Sequence, residues 1–179
     1  DIFFGPTSTL FGSDALGGTI NMITKKPKFL SESNQAISGT VSTRYSSVNE
    51  EKSGHFDFNY SKENWASLTS FSYNDFGDLK MGKRKNHNGD FFGERPTYVE
   101  TINGVDVLVE NSNKYIQKQS GFKQYNFMQK LGYKTTKGLE HGLNFQFSTS
   151  TDIPRYDRLT DKTSTGLANA EWFYGPQKR

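Results

Sequence analysis

Two groups of side chains in this chain combine charge with aromatic surface at short spacing. The first lies between Lys83 and Arg95 and holds Lys83, Arg84, Lys85, His87, Asp90, Phe91, Phe92 and Arg95. The second joins Pro154-Arg155-Tyr156-Asp157-Arg158 to Glu171-Trp172-Phe173-Tyr174-Gly175-Pro176. Cations beside rings suit an oxygen-rich anion, since guanidinium groups pair with carboxylate-like oxygens while rings stack on flat surfaces. Lys83, Arg84, His87, Phe91, Phe92, Arg95, Arg155, Tyr156, Arg158 and Trp172 are therefore the candidate contacts for an anionic chelate. Each group has a plainer reading. The first can be a solvated loop that also meets anionic surface lipid, with His87 an ordinary loop histidine. The second can be a set of Arg/Asp pairs that brace loops against one another.

Bond-making chemistry has no comparable support. Gly12-Ser13-Asp14 lacks the Gly-x-Ser-x-Gly spacing of a nucleophile elbow. Gly17-Gly18 is not followed by the Gly-Lys-Ser/Thr of a phosphate loop. The three histidines, His55, His87 and His141, are scattered, and no paired carboxylates stand out. With no cysteine, neither a disulfide framework nor a thiolate metal site is possible. The expectation is a protein that is not an enzyme and needs neither cofactor nor metal of its own. A net charge of +3, from 22 Lys+Arg against 19 Asp+Glu, is too balanced to point to nucleic acid.

Such residues must be carried by something, and composition narrows what. Only 32% of the 179 residues are hydrophobic, yet 15% are aromatic and 17 are glycine. Packed soluble cores are dominated by aliphatic side chains. A membrane β-barrel has a polar lumen and aromatic girdles instead. No apolar run is long enough for a membrane helix.

The periodicity agrees. From Gln35 the pattern has a period of two: Ile37, Gly39, Val41, Thr43 and Tyr45 alternate with Ser38, Thr40, Ser42, Arg44 and Ser46. Ile37 to Tyr45 is about the ~9–11 residues that a tilted strand needs to cross a bilayer. After a charged turn at Asn49–Ser53, Phe56, Phe58 and Tyr60 alternate with His55, Asp57, Asn59 and Ser61. Trp65 to Phe76 is a third strand of mixed phase, with Ala66 and Leu68 on one parity and Phe71 and Tyr73 on the other; a β-bulge near Ser70 would reconcile them. Residues 77–120 form a long polar loop holding a small hairpin, Tyr98 to Glu110, turned at Asn103-Gly104. Phe122 to Lys134 is a fourth strand, with Tyr125, Phe127, Leu131 and Tyr133 on one face and Gln129 interrupting it. Leu143, Phe145, Phe147 and Thr149 mark a fifth, and Asp152 to Arg179 reads as a loop. Tyr45, Trp65, Tyr73 and Tyr133, at strand ends, suit an interface girdle.

Connections alternate between short and long, as in up-and-down membrane barrels. The register has an energetic reason. A slip of one residue would turn Arg44, Asp57 and Lys130 into lipid, where a mid-bilayer Arg or Lys costs roughly 2–4 kcal/mol.

The stretch Gly5 to Pro27, GPTSTLFGSDALGGTINMITKKP, precedes these strands. Gly5-Pro6 and Gly12-Ser13 mark turns, and Ser13 or Asp14 can cap one helical turn through Leu16. Gly17-Gly18 ends that turn, and Thr19 to Thr24 reads as a short strand containing Asn21. In this order and register the stretch closely resembles the end of the plug domain of TonB-dependent outer-membrane receptors. Phe4 departs from the pattern, since many members carry Arg before the Gly-Pro, so an ion pair of that Arg with the barrel wall is not expected here. Gly5, Pro6, Gly12, Ser13, Gly17, Gly18 and Asn21 are the motif positions, with a structural role. The Pro154–Arg158 and Trp172–Pro176 segments also look like those of iron-receptor members of the Bacteroidetes type.

The resemblance implies an all-β fold: an antiparallel up-and-down meander forming part of a transmembrane β-barrel, preceded by the C-terminal piece of a plug domain. The expected division is residues 1–30 for the plug end and 31–179 for the first barrel strands, within a fragment of a longer receptor. The resemblance further implies a Gram-negative outer membrane location and energised import of a scarce ligand: an iron chelate (siderophore or haem) or cobalamin. The implied partners are outer-membrane lipid and a TonB-type energy-transducing complex, engaged through a segment upstream of Asp1. An oligosaccharide importer, with or without a lid lipoprotein, is the alternative within the family. Outside it, a soluble secreted β-sandwich that binds glycans through Trp and Tyr is the competing architecture.

Overall fold

The structure is a computed structural model that describes residues 2–6, 12, 17–29, 35–84, 93–164 and 166–179. The candidates Ser13, His87, Phe91 and Phe92, and the helical turn expected through Leu16, lie outside the described residues.

The alternating segments form one antiparallel sheet. Short strands β1 (Ile2–Phe4) and β2 (Gly18–Ile20) pair by themselves near the N-terminus. The main strands follow: β3 (Gln35–Ser46), β4 (Glu51–Lys62) and β5 (Trp65–Phe76). An excursion then carries β6 (Leu79–Lys80), β7 (Thr97–Ile102), β8 (Val105–Glu110) and β9 (Ile116–Gln117). The chain returns through β10 (Phe122–Lys134) and β11 (Glu140–Pro154), a short helix α1 (Tyr156–Thr160), and β12 (Phe173–Lys178). The six-stranded sheet has the order β12-β11-β10-β5-β4-β3, a meander interrupted only by the excursion. The expected all-β antiparallel meander is thus what the chain forms; the sheet is open, with β3 and β12 at its edges. No helix among the described residues is long and apolar enough to cross a membrane.

In β4 and the first half of β5, burial follows the alternation in the reverse sense of a soluble protein. Directly paired residues of an antiparallel ladder share a face. Val41, Phe56, Phe71, Phe127 and Phe147 therefore line one face in a single row. This apolar face is exposed: Val41 at 80%, Phe56 at 42% and Phe145 at 55%. On the other face of β4, Glu51, Asp57, Asn59 and Ser61 are buried. Burial without a partner is expensive for such groups, and the polar face supplies partners in several rows. Ser148 donates to Asn126, His55 Nδ1 lies 2.8 Å from Ser72 Oγ, and Arg44 approaches Glu51 at 3.8 Å.

Four expectations need correction. No bulge interrupts β5: its pairing with β4 and with β10 is continuous through Ser70. The mixed phase has another cause. Ser67 and Thr69 stand on the apolar face, bonded to Gln129, while Ala66 and Leu68 sit on the polar face under cover and are 2% exposed. The strand expected from Thr19 to Thr24 is only Gly18–Ile20, because β1 offers three partner residues. The charged turn lies at 47–50, so Glu51 and Ser53 already belong to β4. Finally, 152–179 is not a loop. β11 runs on to Pro154, and β12 returns along it, pairing Asp152 with Pro176 and Thr149 with Lys178. Pro154 and Pro176 disguise this pairing in sequence, since Pro cannot donate to a ladder and is confined to edges and irregular positions; the β11–β12 register is indeed shifted twice.

Candidate functional site

The N-terminal unit is built on close backbone approach. β1 and β2 pair Phe4 with Gly18, and Gly5 N–H donates to the Gly17 carbonyl at 3.3 Å. Gly18 has φ +152°, and a Cβ there would stand 2.7 Å from the Phe3 carbonyl oxygen, so only glycine fits this pairing without displacement. Gly5 and Gly12 also hold positive φ, 91° and 97°. Pro6 is exposed and Asn21 partly buried.

Beyond β2, residues 21–29 carry no ladder and run across the polar face of the main sheet. Five contacts hold them there. Lys25 Nζ lies 2.6 Å from Asp57 Oδ2. Lys28 N–H donates to Asn59 Oδ1 at 2.8 Å, and Asn59 Nδ2 donates back to the Lys28 carbonyl at 3.2 Å. Lys130 Nζ donates to Thr24 Oγ1 at 2.5 Å. The Phe29 ring rests on Gly132, where a Cβ would meet its Cζ at 2.7 Å. Asp57 and Asn59 come from β4, Lys130 and Gly132 from β10, so the strap ties the N-terminal unit to strands on both sides of β5.

At the opposite end of the sheet, the excursion 77–121 and the connection 155–172 fold together. Asn103 and Gly104, with φ of 52° and 79°, make the β7–β8 turn, as the Asn-Gly pair requires. Val99 and Leu159 are fully buried. Arg95 is 5% exposed and spans the two segments. Its guanidinium donates to the Lys118 carbonyl and, at 3.1 Å, to the Leu159 carbonyl, with the Tyr156 ring 5.1 Å away. Asn111 closes the arrangement by donating to the carbonyls of Arg95 and Ile116. Burial pushes the Tyr156 phenol above its ordinary value and the Arg95 guanidinium below.

The remaining candidates divide between this platform and its rim. Arg155 Nε bonds both carboxylate oxygens of Asp157 at 3.1 Å and stands 5.6 Å from the Tyr174 ring. The hydrogen bond from Arg155 holds the Asp157 carboxyl below its usual range. Arg158 reaches Asp161 at 3.2 Å and the Trp172 ring at 6.0 Å. Trp172 is 44% exposed. Lys83 lies over Tyr115 at 5.4 Å, and Arg84 is exposed. The structure thus brings Arg95 and Tyr156 together, and Arg155, Arg158 and Trp172 near them, but turns Arg95 inward onto protein carbonyls. Among the described residues no cluster of His, Asp or Glu could hold a metal ion.

Sequence reasoning missed the strap's anchors, Asp57, Asn59, Lys130 and Gly132. The usable signal was the placement of Asp57 and Lys130 on the polar face, where isolated charges call for partners.

Known proteins overlap this chain only in part. The chain is 39% identical over 56 residues to the iron-regulated outer membrane virulence protein of Vibrio cholerae serotype O1, in both the classical Ogawa 395 and the El Tor Inaba N16961 strains. That match spans 31% of this chain and 9% of the length of those relatives. No family model matches the chain. No solved structure matches it either.

Proposed function

We propose that this chain is part of a TonB-dependent outer-membrane receptor that imports an iron chelate, its first 30 residues ending a plug and the remainder opening the barrel wall. One observation carries the reading. Residues 24–29 lie over the polar face at β4 and β10, where Asp57, Asn59, Ser61, Ala66 and Leu68 are buried, and the apolar face is bare, with Phe145 55% and Phe147 44% exposed. That arrangement suits a wall with hydrocarbon on one side and a stoppered aqueous lumen on the other. The iron-regulated outer membrane proteins that are 39% identical to the chain over 56 residues support the location and an iron-related role. Transport is then binding at the loop platform followed by energised rearrangement of the plug, with no bond chemistry in the ligand.

Uptake of a labelled ferric chelate by iron-starved cells tests this. Deleting the gene for the full receptor should abolish uptake. Removing the energy-transducing complex should stop uptake while surface binding persists. Unchanged uptake in the deletion strain overturns the iron assignment, and labelled oligosaccharide offered to the same cells tests the importer alternative. The soluble sandwich predicts a protein that stays in solution without detergent, with a second layer against Phe145 and Phe147.

A further inference from the structure

The apolar face carries a hydrogen-bonded polar island at the middle of β5 and β10, and its position is specific. Thr69 Oγ1 donates to Gln129 Oε1 at 2.7 Å, and Gln129 Nε2 donates to Ser67 Oγ at 2.9 Å. Thr69 and Gln129 are direct partners in the β5–β10 ladder. Aromatic pairs bracket them on the same face: Trp65 with Tyr133, ring centroids 4.7 Å apart, and Tyr73 with Tyr125, 5.1 Å apart. Trp65 to Tyr73 spans about 26 Å at roughly 3.3 Å per residue, or about 20 Å along the normal at a tilt near 40°. That approaches the apolar band between aromatic girdles, so Thr69 and Gln129, midway between the pairs, stand at the depth of the bilayer centre. This placement rests on the membrane reading proposed above.

The island marks one of two joints in the meander that no short turn sets, the other being β11 with β12 through 155–172. β3 and β4 are joined through 47–50, β4 and β5 through Glu63-Asn64, and β10 and β11 through 135–139. Such hairpins fix register by their geometry. Between β5 and β10 lies the whole excursion 77–121; its neck is held by Asp78, which accepts from the Ser120 and Gly121 amides, and by the β6–β9 pairing, and the island adds a second alignment point midway along the strands. A slip of two residues would keep both faces intact and regain generic aromatic contacts. It would regain only part of the island: one direction sets Gln129 against Phe71 and Thr69 against Leu131, the other sets Gln129 opposite Ser67 but Thr69 against Phe127. With no water at that depth, a stranded hydroxyl or carboxamide oxygen finds no substitute partner, while a stranded Gln129 amide keeps only the Lys130 carbonyl at 3.3 Å.

We infer that Ser67, Thr69 and Gln129 form a register lock, a hydrogen-bonded key within the lipid-facing surface that selects the correct pairing of β5 with β10 during barrel assembly. The side chains do this by making every slipped alignment leave a polar group bare, while the native one satisfies them all.

Cysteine cross-linking of the full receptor in its own outer membrane tests the lock. Asn74→Cys with Gln124→Cys reports the native register; Asn74→Cys with Asn126→Cys, or with Phe122→Cys, reports slips of two. Gln129→Leu should raise the slipped cross-links and lower the yield of heat-modifiable barrel about threefold, the factor for an average hydrogen bond in a membrane. The exchange Thr69→Gln/Gln129→Thr should restore both readouts, because the cross-strand pair is kept with its members swapped. Unchanged register and yield in Gln129→Leu would overturn the lock, as would a loss that the exchange fails to restore. The presence of the unmodified receptor in the outer-membrane fraction reports separately on the membrane reading, since cross-link ratios read register wherever the protein resides.

Discussion

Lys25 Nζ and Asp57 Oδ2 meet at 2.6 Å, joining the strap to the middle of a strand in the sheet. Asp57 is 8% exposed, while the Lys25 side chain is 61% exposed. The carboxylate is therefore the committed partner, and the lysine reaches down to it. Thr24, Lys28 and Phe29 reinforce the junction with backbone and side-chain contacts. The end of the N-terminal unit is thereby fastened to the sheet at several points, so any rearrangement of that unit has a fixed end at residues 24–29.

Removing the lysine tests that fastening. Lys25→Met should loosen the strap by roughly 1 kcal/mol, the upper range for a pair with one solvated member. Hydrogen exchange of the full-length protein should show faster exchange at the Lys28 amide, with β4 and β5 unchanged. Equal protection in both proteins would show that Asn59 and Phe29 suffice.

Filling the space over Gly132 should be worse. Gly132→Ala places a methyl 2.7 Å from Phe29 Cζ and should cost about 1–3 kcal/mol through overpacking. Phe29→Ala in the same molecule should recover part of that loss, since contacting residues couple. Denaturant unfolding in detergent, measured over the double-mutant cycle, checks both the sign and the coupling.

Arg95 offers a test of the loop platform. Arg95→Ala removes charge-assisted hydrogen bonds to two buried carbonyls, about 1.5–3 kcal/mol each for bonds involving a charged group. Limited proteolysis should then cut within 77–121 sooner, while the sheet stays intact. Arg95→Lys should fail to restore resistance, because one ammonium cannot replace a planar fork that reaches Lys118, Leu159 and the Tyr156 ring.

Acid should weaken the start of α1. The hydrogen bond from Arg155 depresses the folded-state titration of Asp157. A depressed carboxyl contributes stability that is present above the unfolded pKa, near 3.9, and lost as pH falls through the lower folded value. The pair should therefore persist through neutral and mildly acidic conditions and open below about pH 4. An NMR titration of the Asp157 carboxyl carbon should show a midpoint below the ordinary range, returning toward it in Arg155→Ala.

Much of this architecture can be read along the chain. Alternation of Ile37 to Tyr45 against Ser38 to Ser46, and of Phe145 and Phe147 against Asn144 and Gln146, assigns faces because a strand repeats every two residues. Asn103-Gly104 announces its turn because both positions need positive φ. These are local properties, carried by neighbours in sequence. The β12 return, the inward turn of Arg95 and the hold of Lys25 on Asp57 are of another kind. Each depends on which distant backbone arrives beside a given residue, and no periodicity encodes that. Gln129 shows the division most clearly: in sequence it breaks a pattern, and only its pairing with Thr69 across residues 77–121 makes the break a satisfied contact.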